Sequence, residues 1–143
     1  MTVIVTDAGF AADDWTADFH DCAALPDRDA DGVSALAADV PNDFDVTRLS
    51  DEIDRIDLIR VAFPSAADGR GFSQARQLRI LGFQGRLRAA GPVIADQYAM
   101  ARRSGFDEVE IPDDLAARQP EEQWLARADW RENFYQGRLR KTA

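Results

Sequence analysis

The chain reads as an α/β fold in which parallel strands alternate with helices, either half-barrel-like or as a small open doubly wound sheet. Three observations point there. Strand-like segments, nearly all apolar at 58–63 and alternating at 86–90 and 109–111, are separated by stretches of helical length. Glycines and prolines stand at the joints: Phe63-Pro64, Asp68-Gly69-Arg70-Gly71, Gly91-Pro92 and Gly105. At those joints the hydrophobic spacing switches between period 2 and a helical period. Both arrangements place ligands beyond the carboxyl ends of the strands, here the loops at 64–71, 90–92 and 112–114.

Taken in order, Val3-Ile4-Val5 is a short β-branched run and an expected first strand. Residues 1–32 read as a variable acidic arm, rich in Asp and Ala, with Phe10, Trp15 and Phe19 scattered through it. A strand is expected within 34–40. Asn42 or Asp43 is a candidate N-cap for a helix over 44–56, where Val46, Leu49, Ile53 and Ile56 share one stripe. Leu58 to Phe63 is nearly all apolar, the pattern of a strand covered on both faces. Pro64 stops it, and the glycine loop feeds a helix over 72–82 with Phe72, Ala75 and Leu78 inward.

Gly85 opens a strand at 86–90, with Leu87 and Ala89 on one side and Arg88 on the other. Pro92 suits the first turn of a helix running to Ser104, and Gly105 its C-terminal glycine. Val109 and Ile111 alternate with Glu108 and Glu110 in a last strand, which Pro112 stops. The alternating core thus spans 33–119. Pro120-Glu121-Glu122 starts a C-terminal amphipathic helix and tail over 120–143, carrying Trp124, Leu125, Ala128, Phe134 and Tyr135.

Composition narrows the function classes. At 143 residues the chain is long enough for one well-formed core. No apolar run approaches membrane-spanning length and no signal peptide opens the chain, so the cytoplasm is the expected location. Cys22 is the single cysteine and reads as a reduced structural thiol. With one His and one Cys there is no set of residues for a zinc tetrad, a cluster or a dithiol, and no metal site is expected. Asp27-Arg28-Asp29-Ala30-Asp31-Gly32 imitates the start of a calcium loop, but Ala38 stands where the closing glutamate belongs. It reads as an acidic turn. The net charge of −9 argues against nucleic acid as the main partner.

Against that acidic background, residues 70–103 hold seven arginines and a single acid, Asp96. Positive charge gathered near one loop-to-helix junction invites an anion or an acidic partner. The anion-binding candidates are Asp68, Gly69, Arg70, Gly71 and Arg88. The glycines permit close backbone approach, and guanidinium groups suit oxyanions. Arg88 needs a partner, either Asp96, Asp68 or a bound anion. Asp96 and Gln97 are candidate polar support. Arg76, Arg79, Arg102 and Arg103 are candidates for docking an acidic partner. The plain alternative is a tight turn with a structural Asp68–Arg70 pair, an internal salt bridge at Arg88 and solvated helix faces.

Three stretches carry a family resemblance. DGRGFSQAR, LRAAGPVIADQ and RRSGFD occur in this order, with Phe134-Tyr135-Gln136 near the end. Together they resemble the bacterial family known as domain of unknown function 934, whose members are described as oxidoreductases involved in sulfite reduction. The resemblance implies a place in assimilatory sulfur metabolism and cysteine biosynthesis beside sulfite reductase. Three readings follow from residues and resemblance together. One is an accessory protein docking on sulfite reductase or its electron donor. Another is a small oxidoreductase using a dissociable flavin or nicotinamide, although no cofactor signature is evident. The third is a sulfite- or oxyanion-binding module.

Overall fold

Five strands run parallel and in chain order, so every crossover steps to the next-door strand. The computed structural model describes residues 2–27 and 35–131. Its strands are β1 Thr2–Thr6, β2 Gly9–Ala11, β3 Phe19–Asp21, β4 Ala37–Val40, β5 Leu58–Ala62, β6 Arg86–Ala90 and β7 Glu108–Pro112. Its α-helices are α1 Arg70–Ile80, α2 Tyr98–Ser104, α3 Asp113–Arg118 and α4 Glu121–Leu125. The sheet order is β2-β1-β7-β6-β5-β4-β3. β3 to β7 are parallel neighbours, while β1 lies antiparallel to both β7 and β2.

Because the order of β3 to β7 never reverses, right-handed crossovers bring the intervening helices to one side. The sheet is therefore half-barrel-like, open, and without the switch-point crevice of a doubly wound sheet. On the helix side, Ala38, Val40, Ile59, Val61, Leu87, Ala89, Val109 and Ile111 join Leu78, Tyr98, Leu115 and Trp124 in one buried cluster. Period-2 strand patterning meets helical stripes there, which is why this half of the molecule was legible as apolar spacing. Tyr98 and Trp124 meet edge to face at 6.1 Å. Among the described residues no helix is long and apolar enough to cross a membrane.

Several expectations change in detail. The segment read as an arm contributes three strands: β1, and the three-residue edges β2 and β3. The helix expected over 44–56 is two short 3-10 turns, Val46–Leu49 and Ile53–Arg55, which still bury Val46, Leu49 and Ile53. Asp45, not Asn42 or Asp43, caps the first, accepting from the Thr47 amide and hydroxyl.

The helix begun at Pro92 starts later, with a 3-10 turn at Ala95–Gln97 leading into α2. Its end is as expected. Gly105 adopts φ 117°, and Phe106 N–H bonds back to the Ala101 carbonyl. β5 is covered differently from expectation, since Arg60 points to the second face and Ala62 is exposed. Phe134, Tyr135 and Gln136, and most of the calcium-like turn, lie outside the described residues.

Candidate functional site

The sheet's second face is built in rows. Because register pairs neighbouring strands directly, Asp21, Asp39, Arg60, Arg88 and Glu108 form one line across β3 to β7. The row toward the strands' carboxyl ends is Ala62, Ala90, Glu110 and Ile4. Such layering of side chains inside parallel barrels follows from strand alternation. Here the inner layer is ionic.

Arg88 sits at its centre with a fully buried side chain. Its Nε donates to Glu108 at 2.6 Å, its Nη1 to Glu110 at 2.7 Å, and both terminal nitrogens reach Asp13 at 3.0 to 3.1 Å. Burial alone would lower the Arg88 pKa, but its three carboxylates outweigh burial and raise it. Arg86 bridges Glu108 and Asp14 in the same way. Arg60 makes a bidentate pair with Asp39 at 2.6 and 2.9 Å, and the Phe19 ring lies 3.6 Å from its guanidinium carbon. The N-terminal segment is thereby clamped across this face by Asp13, Asp14 and Phe19.

Above the ionic layer the small side chains of Ala62 and Ala90 leave a cleft of about 770 Å³. Asp21, Asp39, Arg60, Glu110 and Thr2 line it, together with Val40, Pro41, Gly91 and Pro112. The cleft opens at the carboxyl ends of the strands and takes in Ala90, Gly91 and Pro112 from the expected loops, but nothing from the glycine loop at 64–71.

The residues singled out by sequence do not converge there. Asp68 and Arg70 pair with each other at 2.8 Å, and Asp68 also holds Asn42 at 2.5 Å. The Arg70 side chain and the backbone amide at Arg70 keep the Asp68 carboxyl well below the usual range. Gly71 packs against Phe63, where a β-carbon would collide with the ring. Gln97 ties two loops together, accepting from Ile94 N–H and donating to the Ala66 carbonyl. Asp96 pairs with Arg127 at 2.7 Å. The expected Arg88 partners, Asp68 and Asp96, are thus engaged elsewhere in loops, and mid-strand Arg88 finds its carboxylates on β7 and in the N-terminal segment.

The four docking arginines divide. Arg79 bonds to the carbonyls of Phe83, Gly85 and Gly105 and to Asp107, bracing α1 against the following loops. Arg102 binds Asp7 and the Phe106 carbonyl. Arg76 is exposed and Arg103 half-buried, and neither forms an ion pair among the described residues.

Sequence reasoning missed Asp21, Asp39 and Arg60. The available signal was a lone charge inside an apolar strand run at Arg60. Among the described residues no cluster of His, Cys, Asp and Glu is placed to hold a metal ion. Cys22 is buried, and desolvation together with nearby Asp21 pushes its thiol up to about 11. Alkylation of the native protein by iodoacetamide at neutral pH is therefore expected to be slow and to accelerate as pH rises toward that value. Rapid native labelling at pH 7 would contradict this burial.

A sequence model of the bacterial proteins of unknown function called DUF934 matches residues 37–143. The chain belongs to that family. In this DUF934 member the matched region begins at β4 and so contains the core strands of the cleft, while Asp13, Asp14 and Phe19 lie before it. No curated protein matches the chain, and no solved structure does.

Proposed function

We propose that this DUF934 protein is an accessory component of sulfite reduction, docking through the outer face of α1 and α2 on sulfite reductase or on its electron donor. The pathway comes from the family resemblance. The docking face is supported by one observation: Arg76 and Arg103, left without internal carboxylates among the described residues, stand beside exposed apolar side chains. Ile80 is 84% exposed and lies one turn after Arg76, and Met100 lies one turn before Arg103. An unpaired basic and apolar surface on a chain of net charge −9 suits an acidic partner with an apolar contact. The oxyanion-binding reading draws no such support, because Arg70 and Arg88 are held by carboxylates of the chain itself.

Tagged protein recovered from its own host growing on sulfate is expected to carry sulfite reductase or its electron donor. Raising salt from about 0.05 to about 0.5 M should release it, since exposed charges are screened over that range. Recovery without either protein at low salt would remove this reading.

A further inference from the structure

The cleft on the open face carries a different inference, independent of the docking surface. Its upper layer is made of alanines where larger side chains would fill it, so the cavity is a consequence of Ala62 and Ala90 lying above an intact ionic layer. Its lining holds three carboxylates, Asp21, Asp39 and Glu110, against one guanidinium, Arg60. Arg60 is drawn toward Asp39, so its approach to Glu110 is long, 3.3 Å to Oε1 and 3.5 Å to Oε2. Glu110 Oε1 also receives Arg88 at 2.7 Å, whereas among the described residues Oε2 has that 3.5 Å contact alone. The Glu110 side chain, 11% exposed, lines the cleft, and Oε2 is its oxygen less engaged by the arginines. A donor reaching Oε2 there adds a charge-assisted hydrogen bond.

We propose that the cleft binds a small organic cation whose protonated amine donates to Glu110 Oε2, with Asp39 and Asp21 on the facing side and its alkyl portion against Ala62, Ala90 and Pro112. An ammonium supplies a further donor to Glu110 Oε2 and adds positive charge to an acidic lining, while the alanine floor accepts methylene groups. The volume suits a ligand of metabolite size, and Glu110, in the same row as the alanines, fixes the polar end. A small dianion finds the opposite: Arg60 is committed and the lining repels it.

The test uses the full chain, isotopically labelled, with cadaverine as the probe and glutarate as an anionic counterpart of similar length. Backbone amide shifts are followed by NMR. Cadaverine is expected to move the amides of Asp39, Ala62, Ala90, Gly91 and Glu110 with saturation in the millimolar range or below, and glutarate to leave them in place. Ala62→Leu, at an exposed position, should weaken the response about tenfold or more by filling the space, with thermal stability retained. Glu110→Gln should weaken it as well, and Ala62→Leu keeps the test valid if that variant unfolds. Shifts that fail to saturate, that spread over the acidic surface, that persist unchanged in Ala62→Leu, or that follow glutarate instead would each overturn the proposal.

Discussion

Arg88→Met is expected to destabilise the protein by about 3–5 kcal/mol, because removing one partner of a buried ion pair leaves the others uncompensated. Methionine is close in length and apolar, so the loss is not one of volume. What remains is a set of carboxylates, Glu108, Glu110 and Asp13, facing one another with one guanidinium fewer. Denaturant unfolding followed by circular dichroism reads the effect directly. Arg70→Ala supplies the contrast, since Arg70 is 62% exposed and solvent screens its pair with Asp68 from that side. That variant is expected to lose far less stability than Arg88→Met. A pH dependence accompanies the buried network. Burial would raise the Asp13 carboxyl, but the Arg88 bonds and the Trp15 amide outweigh it, and the folded value lies below the ordinary one. A depressed carboxylate stabilises above its unfolded pKa and loses that contribution as pH falls. Wild-type stability should therefore decline below about pH 4, and Arg88→Met should decline less steeply there.

The second large effect is at Gly91. Its φ of 138° is one that side-chain-bearing residues rarely adopt, and a β-carbon there would strike the Phe63 carbonyl oxygen. Neither strand can yield. Phe63 N–H is bonded to the Ala90 carbonyl at 2.8 Å, and Gly91 N–H to the Glu110 carbonyl at 3.0 Å. Gly91→Ala should thus combine backbone strain of about 1–2 kcal/mol with an overpacking cost of about 1–3 kcal/mol. At Gly82 the φ is 104°, but the space a β-carbon would occupy is open, so Gly82→Ala should show the strain alone. Equal losses at the two glycines, measured by the same unfolding curves, would contradict the collision at Gly91.

How far the sequence reveals this molecule depends on the range of the interaction. The alternation of Leu87 and Ala89 with Arg88, and of Val109 and Ile111 with Glu108 and Glu110, shows which side chains face the helices. Joining Arg88 to Glu108 requires register between strands, which spacing alone does not supply. Asp13 is 75 residues away from Arg88, and nothing local marks it as a partner. The edge strands β2 and β3 are three residues each and sit in an Asp- and Ala-rich stretch, too short for periodicity to register. The cleft was legible only as an end of the sheet, since the glycine loop expected to form its mouth takes no part in its lining. Asp39 and Arg60 become a pair only because β4 and β5 align them, and the alanines matter for what they leave open. The arginine-rich segment misled in a specific way. Charge density along the chain does not reveal which guanidinium groups the fold itself neutralises.

That division between structural and available arginines is what the functional reading rests on, and one titration addresses it. Purified sulfite reductase, or its electron donor, is titrated into wild-type protein, into Arg76→Glu with Arg103→Glu, and into Arg79→Glu with Arg102→Glu, with melting curves run alongside. The first pair should weaken association about tenfold or more and leave the melting temperature in place, while the second should lower the melting temperature because its donors hold carbonyls and Asp7. Undiminished association in the Arg76 and Arg103 double variant would contradict the account.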